Sequence, residues 1–242
     1  MQKTALITGA SKRIGQAIAR HLAAQGWNVA IHYNSSATEA QKLQKELKQQ
    51  FPQSEFDIFQ ANLMDMADVQ RLIPAVVRRF ESLDLLVNNA SVFEPSSLKE
   101  TSLELLQRQM IVNFQAPFLL CRDLANACKK GLIINLVDTR ITNNRSNFAA
   151  YSMSKKALWE LTKMAALEFA PNIRVNAIAP GVSLPPEDKD EKYLWKLAQD
   201  IPMQKPGGLE PILRSLDFIL ANDHLTGQLL FADGGENLGK NN

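Results

Sequence analysis

Short apolar runs alternate with longer amphipathic stretches along the chain. Each run has five or six residues and is rich in Val, Ile, Leu or Phe, which is typical of strands buried on both faces of a parallel sheet. Seven runs occur, at Thr4–Thr8, Asn28–Tyr33, Phe56–Ala61, Leu83–Asn88, Leu132–Val137, Arg174–Ile178 and Gln228–Ala232. Because strands and helices alternate, the pattern predicts an α/β fold with a doubly wound, mostly parallel seven-stranded sheet and helices on both faces.

The stretches between the runs have the spacing of helices with one apolar face. In the first of them that face is formed by Ile14, Ala17, Ile18 and Leu22. The same spacing predicts helices at Val69–Phe80, Ser102–Ala127, Ala149–Phe169 and Pro211–Leu220. A composition shift occurs at residues 183–206, which are rich in Pro, Asp, Glu and Lys and predict an insertion before the last strand. With no other linker or repeat, we expect one domain over residues 1–242.

Composition excludes several classes of function. The 242 residues include 27 basic and 25 acidic side chains, a balance that provides no broad basic face for nucleic acid. No window approaches the roughly 18 apolar residues of a membrane span, and the first apolar run is too short for a signal peptide. Cys121 and Cys128, seven apart in a predicted helix, have no metal-ligand spacing around them. We expect a cytoplasmic protein with two free thiols that binds neither metal nor membrane.

A glycine-containing turn joins the first strand to the first helix. Glycines let the backbone approach a pyrophosphate, and the N–H groups at a helix N-terminus attract it. The position of this turn, directly after a strand and before a helix, is the required context, although an ordinary strand-to-helix turn would look similar. The turn predicts cofactor contacts from Gly9, Ser11, Lys12, Arg13, Ile14 and Gly15.

The end of the second strand indicates which dinucleotide binds. NAD-selecting folds place an acidic residue there for the ribose hydroxyls, whereas this strand ends His32-Tyr33-Asn34-Ser35. Asn34 and Ser35 can donate hydrogen bonds to a 2′-phosphate, and Arg13 can pair with it. These features favour NADPH over NADH. We include His32 and Tyr33 among the cofactor contacts, but His32 is equally compatible with a structural role.

Tyr151 and Lys155 form a Tyr-x-x-x-Lys pair at the start of a predicted helix. Residues four apart share a helix face, so the ammonium group is expected to lower the pKa of the tyrosine. A tyrosine whose pKa is lowered in this way can pass a proton to a substrate as hydride arrives. Taken alone, the pair could also be an ordinary surface pair.

These motifs together resemble the short-chain dehydrogenase/reductase family, whose turn has the form Thr-Gly-x-x-x-Gly-x-Gly. Thr8, Gly9 and Gly15 match, and Arg13 replaces the middle glycine. The resemblance covers about residues 3–235 and implies a Rossmann-type fold. It also implies that Tyr151 and Lys155 contact the nicotinamide ribose, and it adds cofactor contacts at Asn62, Leu63, Asn89, Ala90, Ser91, Pro180 and Gly181.

Most relatives have a serine thirteen positions before the tyrosine, where this chain has Asp138. A carboxylate there can accept a hydrogen bond from the tyrosine hydroxyl and take part in proton delivery. The alternative is that the serine was lost and the enzyme is impaired or repurposed. Asn113 matches the asparagine that holds a relay water in the family, and its alternative is a polar residue that only kinks the helix.

Asp138 together with Arg13 resembles the pteridine reductase branch, including the related dihydromonapterin and dihydrofolate reductases. The resemblance implies reduction of a dihydropterin to its tetrahydro form, with a flat slot in which Phe93 stacks on the pterin. Phe93 could instead be a buried loop aromatic. Ser183 would lie near the cofactor phosphates and the pterin. The predicted substrate contacts are Ser91, Phe93, Asp138, Tyr151, Val182, Leu184 and Trp195, the last two in a lid over about 183–206.

Two other functions remain open. One is a short-chain reductase of a carbonyl compound such as a 3-oxoacyl thioester, and the other is a non-catalytic NADPH-binding sensor. Within the leading hypothesis, dihydrobiopterin, dihydromonapterin and dihydrofolate are all candidate substrates. The resemblance also implies a homotetramer.

Overall fold

Seven parallel strands form one sheet with the spatial order β3-β2-β1-β4-β5-β6-β7. The computed structural model describes residues 2–186 and 189–239. The strands are β1 (Thr4–Ile7), β2 (Asn28–Tyr33), β3 (Phe56–Gln60), β4 (Leu85–Asn88), β5 (Gly131–Leu136), β6 (Ile173–Pro180) and β7 (Leu229–Ala232). The predicted sheet is therefore confirmed, with strand boundaries that differ from the predicted ones by at most two residues.

The strand order reverses between β1 and β4, which pair with each other although two strands separate them in the chain. In open α/β sheets, ligands bind in the crevice beyond the carboxyl ends of the strands at such a reversal. The turn after β1 and the loop after β4 therefore border the expected ligand site.

Helices cover both faces of the sheet, because alternate strand residues face opposite sides. The helices α1 (Arg13–Ala24), α2 (Ala37–Gln50) and α8 (Glu210–Ala221) pack on one face, and α3 (Met66–Phe80), α5 (Ala116–Ala127) and α6 (Ala149–Phe169) on the other. In β1, for example, Ile7 belongs to the first layer and Leu6 to the second, and both are fully buried. The apolar pattern had not assigned α2, whose buried face is narrow.

The helix predicted over Ser102–Ala127 is interrupted. It consists of α4 (Leu103–Met110), a π-helical turn at Ile111–Gln115, and α5. A π turn inserts one extra residue into the helical repeat, which a 3.6-residue periodicity does not reveal. The prediction that both cysteines lie in this helix is also wrong, because Cys128 follows the end of α5 in an extended conformation. Both thiols are free.

The segment predicted as an insertion contains one further helix, α7 (Glu191–Ala198). Asp190 caps it by accepting a hydrogen bond from the Tyr193 N–H at 3.3 Å. Positions 187 and 188 of the predicted lid, and positions 1 and 240–242 of the predicted domain, lie outside the described residues. Within residues 2–186 and 189–239, no helix is long and apolar enough to cross a membrane, and no cluster of His, Cys, Asp and Glu could hold a metal ion.

Candidate active site

The turn after β1 brings α1 very close to the end of the strand. A Cβ atom on Gly15 would lie 2.3 Å from the Gly9 carbonyl oxygen and 2.5 Å from the Asn89 side-chain nitrogen. Gly9 itself has a φ of +63°, which glycine adopts without a Cβ clash. The two glycines therefore give the first helix its close approach, as the predicted phosphate site requires.

His32 supports this turn from inside the protein. Its Nδ1 accepts a hydrogen bond from the Gly9 N–H at 3.0 Å, and its Nε2 lies 3.1 Å from the Ala61 carbonyl oxygen. Nε2 must carry the proton, so the ring is neutral, and burial lowers the pKa of His32 to about 4. Both ring nitrogens are engaged, so His32 positions the turn, and its contact with a cofactor stays a prediction. The Tyr33 side chain is likewise part of the core.

Arg13 stands at the position of the family's middle glycine and keeps the backbone conformation of a glycine, with a φ of +53°. Such a φ costs an L-residue about 1–2 kcal/mol. Its guanidinium donates a hydrogen bond to the Pro185 carbonyl oxygen at 2.9 Å, which joins the turn to the predicted lid. Among the described residues this bond uses one of the five guanidinium N–H groups, which leaves others for an anion.

An open cavity of about 380 Å³ lies beside this turn. Four cationic side chains line it together with two glutamates and two neutral polar residues: Lys12, Arg13, Arg20, Lys42, Glu39, Glu46, Ser11 and Gln16. Asn34 and Ser35, at the end of β2, are exposed. The excess of cations fits an anionic group such as a 2′-phosphate.

The loop after β4 is fastened to the turn. The Asn89 side-chain nitrogen donates to the carbonyl oxygens of Thr8 and Gly9 at 2.8 and 3.2 Å. The backbone N–H groups of Asn89 and Ala90 both donate to the Thr8 hydroxyl, at 2.9 and 3.0 Å. Asn89 and Ala90 thus hold the two sides of the crevice together.

The remaining predicted cofactor contacts lie at the ends of β3 and β6. Asn62 is exposed and Leu63 is buried in the turn that follows β3. After β6, a Cβ on Gly181 would lie 2.6 Å from the Asp233 Cα, so the Pro180-Gly181 turn fits closely against the chain beyond β7. The Ser183 hydroxyl donates to the Gly181 carbonyl at 3.0 Å, which stabilises the start of the predicted lid.

Asp138 and Tyr151 are joined as the sequence predicted. The Tyr151 hydroxyl donates to Asp138 Oδ2 at 2.8 Å. The other carboxylate oxygen accepts from the Arg140 N–H at 2.8 Å and so caps a 3₁₀ turn at Thr139–Thr142. The end of β5 and the first turn of α6 thereby fix the carboxylate and the phenol relative to each other.

The expected effect of Lys155 on Tyr151 is wrong. Burial and the neighbouring Asp138 carboxylate raise the pKa of Tyr151 well above its usual value. The Lys155 ammonium instead donates to the Leu136 carbonyl oxygen at 2.8 Å and lies 5.8 Å from the Tyr151 ring centroid. Burial lowers the pKa of Lys155 to about 8. The phenol therefore keeps its proton at neutral pH and is suited to act as an acid.

Asn113 lies in the π turn and its side chain is saturated with hydrogen bonds. Its oxygen accepts from the Val92 N–H at 2.9 Å and from the Ser91 hydroxyl at 3.1 Å. Its nitrogen donates to the Ser154 hydroxyl at 3.0 Å. Asn113 therefore fastens the loop after β4 to α6, and its role with a relay water stays a prediction.

Phe93 faces the crevice and is not a buried loop aromatic. It is 55% exposed, and its ring meets the Tyr151 ring at 4.7 Å with an interplanar angle of 80°. Val182 and Leu184 are half-buried beyond β6, whereas Trp195 is exposed on α7. The described contacts place neither Leu184 nor Trp195 against Phe93.

Sequence reasoning missed two residues of this site, Phe148 and Glu236. Phe148 stacks on Phe93, and its position three residues before Tyr151 was the available signal. Glu236 lies in a short 3₁₀ helix after β7, and burial with the nearby Asp138 and Asp233 carboxylates raises its pKa to about 7. No sequence pattern predicts that Glu236 lies near Asp138, because 98 positions separate the two residues.

A family model described as short chain dehydrogenase matches residues 3–192. Several curated proteins are similar over nearly the whole chain. A glucose 1-dehydrogenase from Gluconobacter oxydans is 33% identical over 96% of this chain and 91% of its own. A 3-oxoacyl-[acyl-carrier-protein] reductase from Staphylococcus aureus is 33% identical over 97% and 98%, and pteridine reductase 1 from Leishmania tarentolae is 30% identical over 97% and 96%.

Two solved structures are also similar in fold. FolM alternative dihydrofolate reductase 1 from Brucella canis, complexed with NADP, superposes with a TM-score of 0.91 and 34% identity over 99% of this chain and 96% of that one. The protein of the same name from Brucella suis, in complex with NADP, gives a TM-score of 0.93 and 33% identity over 99% and 97%.

Proposed function

The chain belongs to the short-chain dehydrogenase family and is an oxidoreductase, and on that basis we propose that it uses NADPH to reduce a dihydropterin to its tetrahydro form. The observation that carries the proposal is the 2.8 Å hydrogen bond between Tyr151 and Asp138 beside the exposed ring of Phe93. A proton donor backed by a carboxylate suits protonation of a ring nitrogen, and the exposed aromatic ring suits a flat heterocycle.

Residues along the crevice are suited to hold NADPH, which supplies the hydride when bound. The pyrophosphate would lie at the N-terminus of α1, with Arg13 and Ser35 near the 2′-phosphate. The adenine would lie at Asn62 and Leu63. The nicotinamide half would meet Lys155 and the segments Asn89-Ala90-Ser91 and Pro180-Gly181-Val182-Ser183. The similar Brucella proteins are complexed with NADP, which supports this assignment.

The chemistry of the protein lies in Asp138, Tyr151 and Lys155. The Tyr151 hydroxyl donates a hydrogen bond to Asp138 Oδ2, and its proton is the one that the substrate nitrogen would take. In its protonated ammonium form, Lys155 stabilises the negative charge left on these oxygens. Lys155 also orients the ribose. Asn113 keeps Ser91 and the rest of the loop in place, as its hydrogen bonds suggest.

The substrate slot is assigned to Ser91, Phe93 and Val182, with a lid over about 183–206 that contributes Ser183, Leu184 and Trp195. The slot and the cofactor site belong to one domain over residues 1–242. We further propose a homotetramer. It is supported by exposed apolar side chains on α4, α5 and α6, namely Leu103, Leu106, Phe118, Met164 and Leu167.

Reduction of a 3-oxoacyl thioester is the second candidate function. The 33% identity to the Staphylococcus aureus reductase supports it, and that value exceeds the 30% identity to the Leishmania pteridine reductase. Asp138, in place of the serine found in most relatives, favours the pterin.

The test measures NADPH consumption by the purified protein with dihydrobiopterin, dihydromonapterin and dihydrofolate, beside acetoacetyl thioester. We expect turnover of at least one pterin and little turnover of the thioester. Tight NADPH binding without turnover of any pterin would contradict the proposal. Turnover of the thioester alone would establish the second candidate instead.

A further inference from the structure

Three side chains form a continuous stack beside Tyr151. The rings of Phe93 and Phe148 have centroids 4.4 Å apart and planes within 7° of parallel. The Arg140 guanidinium carbon lies 4.4 Å from the Phe148 centroid. Because Phe93 already covers one face of Phe148, a guanidinium at this distance fits only against the opposite face. The order of the stack is therefore Arg140, Phe148, Phe93.

Phe148 is the member of the stack with a fixed backbone. It directly precedes α6, and its carbonyl oxygen accepts the first helical hydrogen bond, from the Ser152 N–H at 2.8 Å. It also forms an isolated β-bridge with Ser96. Phe93 lies in the irregular segment between β4 and α4 and is 55% exposed. The stacking contact therefore holds a loop ring against a ring anchored on a helix.

Arg140 connects the stack to the carboxylate. Its backbone N–H donates to Asp138 Oδ1 at 2.8 Å, while its guanidinium covers Phe148 and donates to the Asn147 side-chain oxygen at 3.0 Å. One residue thus orients Asp138 through its backbone and supports Phe148 through its side chain. The proton-bearing pair and the aromatic surface are parts of one unit.

Phe148 covers one face of Phe93 and the Tyr151 ring meets Phe93 nearly perpendicularly, yet Phe93 stays 55% exposed. When a ligand binds to a ring that is already held in place, less side-chain entropy is lost on binding. A flat conjugated ligand gains from an ordered aromatic face through stacking, whereas a small flexible carbonyl compound gains little.

We infer that Phe148 and Arg140 are positioning residues that hold Phe93 for a flat heteroaromatic substrate. This inference rests on the proposed pterin reduction and assigns substrate positioning to two residues that need not touch the substrate.

The test compares three variants with the wild-type protein, using dihydrobiopterin as the probe. Phe148→Leu removes the ring but keeps apolar volume, and we expect it to raise KM for dihydrobiopterin about three- to tenfold with kcat and the NADPH Kd within about twofold of the wild-type values. Phe148→Tyr keeps the ring and should restore the wild-type KM. Arg140→Met keeps the N–H group that binds Asp138 and should raise KM about two- to fivefold.

Phe59→Leu is the matched control, because Phe59 also packs against a second aromatic ring, that of Phe80, at 6.3 Å, but on the edge strand β3. It should leave the KM unchanged. Equal KM values for the wild type and Phe148→Leu would overturn the inference while the proposed function stands. Loss of pterin affinity, NADPH affinity and thermal stability together in both Phe148 variants would reduce Phe148 to a structural residue and also overturn it. Failure of the wild-type protein to reduce any pterin would remove the proposed function, and this inference with it.

Discussion

The turn after β1 and the loop after β4 lie side by side at the strand-order reversal, but they are held in different ways. The close approach of α1 at the turn depends on missing side chains, since Gly15 has no room for a Cβ and Gly9 has a positive φ, and His32 adds one hydrogen bond to the Gly9 N–H. The loop depends on side chains that come from elsewhere, namely Asn113 from the π turn and Phe148 from the start of α6. A close backbone approach can be predicted from glycines in a short sequence motif. Contacts between side chains that are distant in the sequence cannot.

The electrostatics of the two regions differ in the same way. The turn is bordered by a cavity rich in cations, as an anionic ligand requires. At the other end of the crevice, burial raises the pKa of the Tyr151 phenol and lowers that of the Lys155 ammonium, and the charge of the Asp138 carboxylate acts to raise both values. We therefore expect changes at the turn to alter cofactor binding, and changes at Asp138, Tyr151 and Lys155 to alter turnover.

The largest expected effect is on turnover. Tyr151→Phe removes the hydroxyl that donates to Asp138 and should lower kcat for dihydrobiopterin by about 10³-fold, the scale of general acid catalysis. The NADPH Kd should stay within about twofold of the wild-type value. A variant that keeps a tenth or more of the wild-type kcat would show that the proton comes from another group.

Gly15→Ala tests the backbone fit of the turn. The added methyl group would lie 2.3 Å from the Gly9 carbonyl oxygen, so α1 must move away, and the NADPH Kd should rise roughly 10- to 100-fold. Gly131→Ala is the control, because its Cβ would come no closer than 3.3 Å to a neighbouring atom, the nearest being in the Leu124 side chain. Equal NADPH affinities for the two variants, measured by titration, would contradict the account of the turn.

Arg13→Gly separates selectivity from stability. Loss of the guanidinium should reduce the preference for NADPH over NADH, measured as a ratio of kcat/KM values, by about tenfold. The free energy of unfolding should change little, because relief of the strain at a φ of +53° offsets the loss of the hydrogen bond to the Pro185 carbonyl oxygen. Arg214→Gln, at an exposed arginine on α8, should change neither quantity. An unchanged preference in Arg13→Gly would place NADPH selection elsewhere.

The smallest expected effect concerns pH. Burial lowers the pKa of Lys155 to about 8, so the ammonium loses its proton as pH rises through that value. The pKa of Tyr151 is raised, so the phenol stays protonated across the same range. We expect kcat/KM for the pterin to have fallen by about half at a pH equal to the lysine pKa. Lys155→Arg, which stays charged, should lose this alkaline fall, and its persistence there would assign the titration to another group.

The sequence predicted the sheet and the cofactor turn because both depend on local patterns. Buried strands appear as short apolar runs, and the turn glycines lie within a few residues of one another. The hydrogen bond between Tyr151 and Asp138 was also predictable, since the spacing of thirteen residues matches the family pattern. All of these features can be derived from one stretch of chain or from a known spacing.

Other features depend on tertiary contacts that no local pattern contains. The π turn around Asn113 adds a residue to a helix without changing its apolar character. Burial and Asp138 raise the pKa of Tyr151, and they outweigh the opposing effects of Arg140 and Ser91. Histidine is a residue type that often contacts ligands, but the ring nitrogens of His32 form hydrogen bonds with the Gly9 N–H and the Ala61 carbonyl oxygen. In each case the three-dimensional neighbours decide the role.

The most direct test of the central claim is the kcat/KM for dihydrobiopterin of Asp138→Ser, which restores the residue that most relatives have. If the carboxylate equips the site for a pterin, kcat/KM should fall by about 100-fold while the NADPH Kd stays within about twofold of the wild-type value. Wild-type kcat/KM for the pterin in Asp138→Ser would contradict the claim and leave Asp138 without a catalytic role.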